Sequence, residues 1–77
     1  MMFDELETVV LTRDIPEHSL KAGDLGAVVE VYDPDGVEVE FVTAGGRTQA
    51  TLTLRTSDVR KVGPQDMVAV RPVQPAA

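Results

Sequence analysis

From Val29 to Leu54 the apolar side chains fall on every second residue. This alternation constrains the fold more than any other feature, because a period of two is that of a half-buried strand. It places Val29, Val31, Val37, Val39, Phe41, Ala50, Leu52 and Leu54 on one face. Glu30, Tyr32, Glu38, Glu40, Arg47, Gln49, Thr51 and Thr53 then face outward. A slip of one residue would bury the polar set, so the register is well specified.

Turn chemistry agrees with the alternation. Asp33-Pro34-Asp35-Gly36 suits the four positions of a type I turn, with Gly36 in the left-handed conformation that completes a bulged hairpin. That turn predicts Val31 opposite Val39, Val29 opposite Phe41, Glu30 opposite Glu40 and Tyr32 opposite Glu38. The next turn contains Ala44-Gly45-Gly46. Closed on Gly45-Gly46, it sets Phe41 opposite Ala50 and Val39 opposite Leu52. A longer turn shifts this register by two residues and keeps the faces.

The flanks extend the pattern. Thr8-Val9-Val10-Leu11 reads as a short first strand. Residues 12 to 24 form a polar loop that only Ile15 and Leu20 can pin down. Pro16 works against a strand there, and the absence of an apolar stripe works against a helix. Thr56-Ser57-Asp58 can cap a single turn before a fifth strand at Val59 to Val62, and Gly63-Pro64 breaks the pattern. The division is therefore a domain over residues 1–63 and a tail over 64–77. Within the tail, residues 66–71 are an extra edge strand, a strand exchanged with a partner, or a loose end. Residues 72–77 are expected to be disordered.

A chain of 77 residues is one domain. Near this size only ~60% of the unfolded surface is buried, which leaves little room for an enclosed active site. With no cysteine, disulfides, thiolate metal sites and a cysteine nucleophile are excluded. The same absence leans towards a reducing cytoplasm. Met1-Met2-Phe3-Asp4-Glu5 is acidic where a signal peptide is basic, and no apolar run approaches the ~20 residues of a membrane span. The formal charge is −6, and the cations Arg13, Lys21, Arg47, Arg55, Arg60, Lys61 and Arg71 are scattered. Such a surface repels a phosphate backbone, which argues against a nucleic-acid partner.

Five strands, a long loop after the first, a central three-strand meander and one 3-10 turn before the last describe a small all-β, SH3-like barrel. "TVVLTRDIPEHSLKAGDLGAVVEVY", "VEVEF" and "GGRTQATLTL" resemble a family of small bacterial proteins known as a domain of unknown function. The resemblance runs from about Leu6 to Val62, implies a stand-alone SH3-like barrel and carries no activity with it. "LKAGDLGAVVEV" is more distantly similar to KOW-type barrels and to the SH3-like part of the nitrile hydratase beta subunit. KOW barrels surround this glycine with basic residues, whereas here Lys21 stands alone between Glu17 and Asp24.

Candidate chemistry is sparse. Gly23-x-x-Gly26 lacks the Lys-Ser/Thr ending and the following helix of a phosphate loop. It reads instead as a turn at Gly23 and a tight bend or close approach at Gly26. Asp33-Pro34-Asp35-Gly36 lacks the further ligands of a calcium loop. His18, the single histidine, has no serine or cysteine tied to it by a motif. No catalytic residue, metal or cofactor is expected. Glu30 opposite Glu40 is a like-charge pair that either solvent or a basic partner must tolerate. With three aromatic residues, a polyproline groove is not expected. The expected function is a non-enzymatic interaction module for a basic protein, in the manner of an antitoxin or immunity protein. Its expected surface is the loop residues Arg13, Asp14, Glu17, His18 and Lys21 with the outward residues Glu30, Tyr32, Glu38 and Glu40. The alternatives are a KOW-like nucleic-acid binder and an accessory subunit of an enzyme. The expected state is a monomer or a homodimer through an open strand edge.

Overall fold

A computed structural model describes residues 3–75. Strand β1 spans Thr8–Leu11, β2 Leu25–Tyr32, β3 Gly36–Val42, β4 Thr48–Arg55 and β5 Val59–Lys61. All pair antiparallel in one five-stranded sheet of order β4-β3-β2-β1-β5. The chain is thus all-β, with the long connection after β1, the meander β2–β3–β4 and a 3-10 turn at Thr56–Asp58 before β5. Among the described residues no ladder joins the edge strands β4 and β5.

The core is built from the alternating side chains of the strands and closed by the loops. Val9, Leu11, Val28, Val37, Val39 and Phe41 are its most deeply buried members. Phe3, Ile15 and Leu20 cover it from outside the sheet. Ile15 and Leu20 pair with each other across a 3-10 turn at Pro16–His18. This second 3-10 turn was not expected. Proline suits its first position because that N–H needs no partner, and Ser19, at φ 58°, ends it. The polar loop is thereby pinned at the two residues the sequence offered for it.

Both glycines of the 23–26 stretch serve the backbone. Gly23 adopts φ +98° and donates its N–H to the Leu11 carbonyl at 2.8 Å, turning the loop into β2. At Gly26 a Cβ atom would stand 2.5 Å from Val39 Cγ1 and 2.9 Å from Phe41 Cε1. Only a residue without a side chain lets β2 lie over these two core residues.

The β2–β3 register differs from the expected one. Tyr32 pairs with Gly36, Val31 with Val37 and Glu30 with Glu38. The connection is the three residues Asp33-Pro34-Asp35, with a cis Asp33–Pro34 bond, and Gly36 opens β3 rather than adopting the left-handed conformation. Pairing is thus two residues tighter than predicted. A bulge then falls between Val28 and Glu30, after which Val28 pairs with Val39 and Ala27 with Glu40. The extra residue reverses the alternation, so that Val28 is 0% exposed and Val29 41%. Val29 therefore does not belong to the buried face.

β3 and β4 keep one expected register, Phe41 opposite Ala50 and Val39 opposite Leu52, but through a longer turn. Gly46 donates its N–H to the Thr43 carbonyl, and Thr43 donates to that of Arg47. A second irregularity pairs Val42 with Thr48 and leaves Gln49 as the extra residue of β4. Gln49 turns inward and is 7% exposed, instead of facing solvent. The fifth strand ends at Lys61, one residue short of the expected Val62.

Residues 62–75 form no strand, so the extra edge strand at 66–71 is absent from the described fold. The segment is nevertheless tied at Arg71 to the turn before β2, and at Gln74, within the stretch expected to be disordered, to Gln49 of β4. Residues 76 and 77 lie outside the described residues.

Candidate functional site

The outward face of the meander gathers three carboxylates. Glu30 on β2 stands directly opposite Glu38 on β3, and Glu40 follows two residues along β3. The tight three-residue connection sets Glu30 opposite Glu38 in place of the expected Glu40, and the bulge then places Glu40 opposite Ala27. Tyr32 does not face Glu38 across the ladder but reaches it diagonally, its hydroxyl donating to Glu38 Oε1 at 2.6 Å. That hydrogen bond, with partial dehydration and the charges of Glu38 and Glu30, raises the phenol above its ordinary value. Thr48 Oγ1 donates to Glu40 Oε2 at 2.6 Å. Among the described residues no lysine or arginine forms an ion pair with any of these three carboxylates.

The loop residues separate into two groups. Arg13 Nε donates to Asp58 Oδ1 at 3.0 Å, and Asp14 Oδ1 accepts the Ala22 N–H at 2.8 Å. Both side chains hold the loop in place. Burial pushes the Asp58 carboxyl up, but the hydrogen bonds from Arg13 and the Arg55 N–H, with the charges of both arginines, outweigh it and hold it low. Glu17, His18 and Lys21 are exposed. The His18 backbone carbonyl, rather than its imidazole, is the group engaged, accepting from Gln49 Nε2 at 3.0 Å. Among the described residues no hydrogen bond or ion pair connects the loop set with the outward face, so the two do not form one cluster.

A third feature was not anticipated. Arg71 Nε donates to Asp24 Oδ1 at 2.9 Å, while an Nη reaches the other carboxylate oxygen and the Ser19 carbonyl, the latter at 3.1 Å. Gln49 Nε2 also donates to the Gln74 carbonyl at 2.9 Å. At the other end of the segment, Arg60 grips both Asp66 oxygens at 2.9 Å, and the Gly63 N–H donates to the same carboxylate. Two arginine–aspartate clamps therefore hold residues 66–71 as an arch. Beneath it lies a cavity of about 780 Å³, lined on the sheet side by Leu20, Leu25, Phe41, Val42 and Val62. Burial raises the Asp24 carboxyl, but the Arg71 hydrogen bond, the Lys21 N–H and both cations bring it below its usual value. The Arg60 hydrogen bond and the Gly63 N–H hold Asp66 at about 2. The alternation at Met67 to Val70 between Asp66 and Arg71 was visible in the sequence. Nothing local marks Asp24 as the distant partner of Arg71.

Fold and surface define a small all-β domain with an acidic open face and a clamped C-terminal arch. The chain belongs to the DUF4926 family, a domain of unknown function, whose model matches residues 5–61. The match takes in all five strands and stops before the arch. No curated protein and no solved structure matches the chain. Among the described residues, no group of three or more His, Cys, Asp or Glu side chains is placed to hold a metal ion. No helix among them is long and apolar enough to cross a membrane.

Proposed function

We propose that this domain is a non-enzymatic interaction module of the cytoplasm whose outward β2–β3 face receives a basic protein. The observation that carries this reading is Glu30 directly opposite Glu38, with Glu40 beside them and, among the described residues, no cation paired to any. Like charges across a ladder lower stability, and a basic partner surface turns that cost into complementarity. Tyr32, held by Glu38, adds an amphipathic ring of the kind favoured at interfaces. Neutralising a basic protein, as an antitoxin or immunity protein does, is the role that suits so small an acidic domain. Four of the seven cations are already paired with carboxylates, Arg13, Arg60, Lys61 and Arg71, and this weighs against a nucleic-acid surface.

The test is a comparison of captures from the native cell. Wild-type protein is expected to retain a basic protein that the Glu30→Gln/Glu38→Gln/Glu40→Gln variant does not. Identical captures by the two proteins would overturn the reading.

A further inference from the structure

The arch exposes apolar side chains to solvent, although Met67 to Val70 also line the open cavity beneath it. Met67 is 92% exposed, Val68 78% and Val70 96%. Among the described residues, no backbone N–H or C=O of residues 67 to 70 makes a backbone hydrogen bond. The clamps Arg60–Asp66 and Arg71–Asp24 hold this short run at both ends, so much of the ordering that strand pairing requires is already done. An exposed run of unpaired backbone groups is a template for adding a strand.

The sequence of the arch indicates which strand. Asp66-Met67-Val68-Ala69-Val70-Arg71 has an acid at one end, a base at the other and four uncharged apolar residues between. Antiparallel pairing with the same segment of a second copy, about an axis between Val68 and Ala69, sets each Asp66 opposite the second copy's Arg71. Met67 then faces Val70, and Val68 faces Ala69. Each end of the joint strand pair becomes a row of alternating charge: Arg60, Asp66, the second copy's Arg71 and the second copy's Asp24. The formal charge of −6 makes two copies repel over most of their surface. On this segment the charges cancel locally.

We infer that residues 66–71 form a self-complementary interface through which two copies of this chain pair antiparallel. This inference is independent of the acidic-face reading, since it uses a different surface and a different partner. So short a strand pair buries less than the ~1,200 Å² below which specific contacts are weak, and the dimer therefore forms only at high concentration.

Sedimentation velocity from micromolar to about millimolar protein tests it, the upper limit being set by that weakness. The mass of the wild-type protein should rise from 8.3 kDa towards twice that value. Asp66→Arg and Arg71→Asp each place like charges opposite one another, and each alone should stay at the monomer mass. An equimolar mixture should recover the dimer, because one chain then offers two cations and the other two anions. Each variant also loses one clamp, so recovery in the mixture distinguishes lost cross-pairing from a loosened arch. Circular dichroism confirms that both variants are folded. A wild-type mass that never rises, single variants that dimerise as well as wild type, or a mixture that stays monomeric would each overturn the inference.

Discussion

Arg71 and Asp24 lie 47 residues apart in sequence and are joined by paired hydrogen bonds, Nε to Oδ1 at 2.9 Å. This contact ties the segment that follows the last strand to the turn that leads into β2. It also closes one end of the arch over the cavity.

Arg71→Ala should release the arch without unfolding the domain. The guanidinium is partly exposed, so global stability should fall by about 1 kcal/mol or less. Amide exchange over residues 66 to 74 should accelerate towards free-chain rates while the strands stay protected. Unchanged protection in that segment would show that the clamp does not hold it.

Acid should open the same clamps. Asp24 and Asp66 lie below their ordinary value of 3.8, Asp66 at about 2. A carboxyl whose folded value is depressed contributes stability that is present above its unfolded value and lost as pH falls through the folded one. The arch should therefore stay closed at pH 5 and loosen as the pH drops from about 4 towards about 2. Carboxyl carbon shifts of the two aspartates, followed with the arginine Nε resonances, measure this directly. Midpoints at or above 4 for both groups would contradict it.

Gly26→Ala should be among the costliest single changes. Its Cβ would overlap Val39 Cγ1 and Phe41 Cε1, both on fully buried side chains. Overpacking of this kind costs about 1–3 kcal/mol. A denaturant midpoint within error of wild type would mean that β2 can shift freely, against the close approach observed.

Glu30→Gln should raise stability. The substitution removes one of two charges facing each other across the β2–β3 ladder, a relief of a few tenths of a kcal/mol. The gain should shrink with added salt, because exposed charges are screened. Thermal melts at low and high salt provide the check, and a destabilised variant would refute the like-charge account.

Much of the sheet was legible because its causes are local. Alternation marked Val31, Val37, Val39, Phe41, Ala50, Leu52 and Leu54 as one face, and β4 took one of the two registers that the turn allowed. Gly23 and Gly26 were readable as backbone devices because a strand, not a helix, follows them. The β2–β3 register was misjudged at its turn, where Gly36 opens β3 instead of completing a left-handed bulge, and two faces were misjudged where one residue is added to a strand. The bulge around Val29 exchanged it with Val28 in the core, and the irregularity around Gln49 turned a polar side chain inward. A period-two pattern does not show which residue will be extra, because leaving a valine out of a ladder depends on how neighbouring strands twist and pack.

The candidate surface divides in the same way. The sequence by itself determined that the chain is all-β, acidic and lacks cysteine chemistry, since composition and period-two patterning decide these directly. It also placed Glu30, Tyr32, Glu38 and Glu40 on one outward face. Only the tertiary structure decided that Glu30 meets Glu38, that Arg13 and Asp14 are engaged in holding their loop, and that Arg60 and Arg71 clamp an arch over a cavity. The physical reason is reach. Turn and strand preferences act over a few residues, whereas an ion pair such as Arg71–Asp24 exists only after the whole sheet has brought its two ends together.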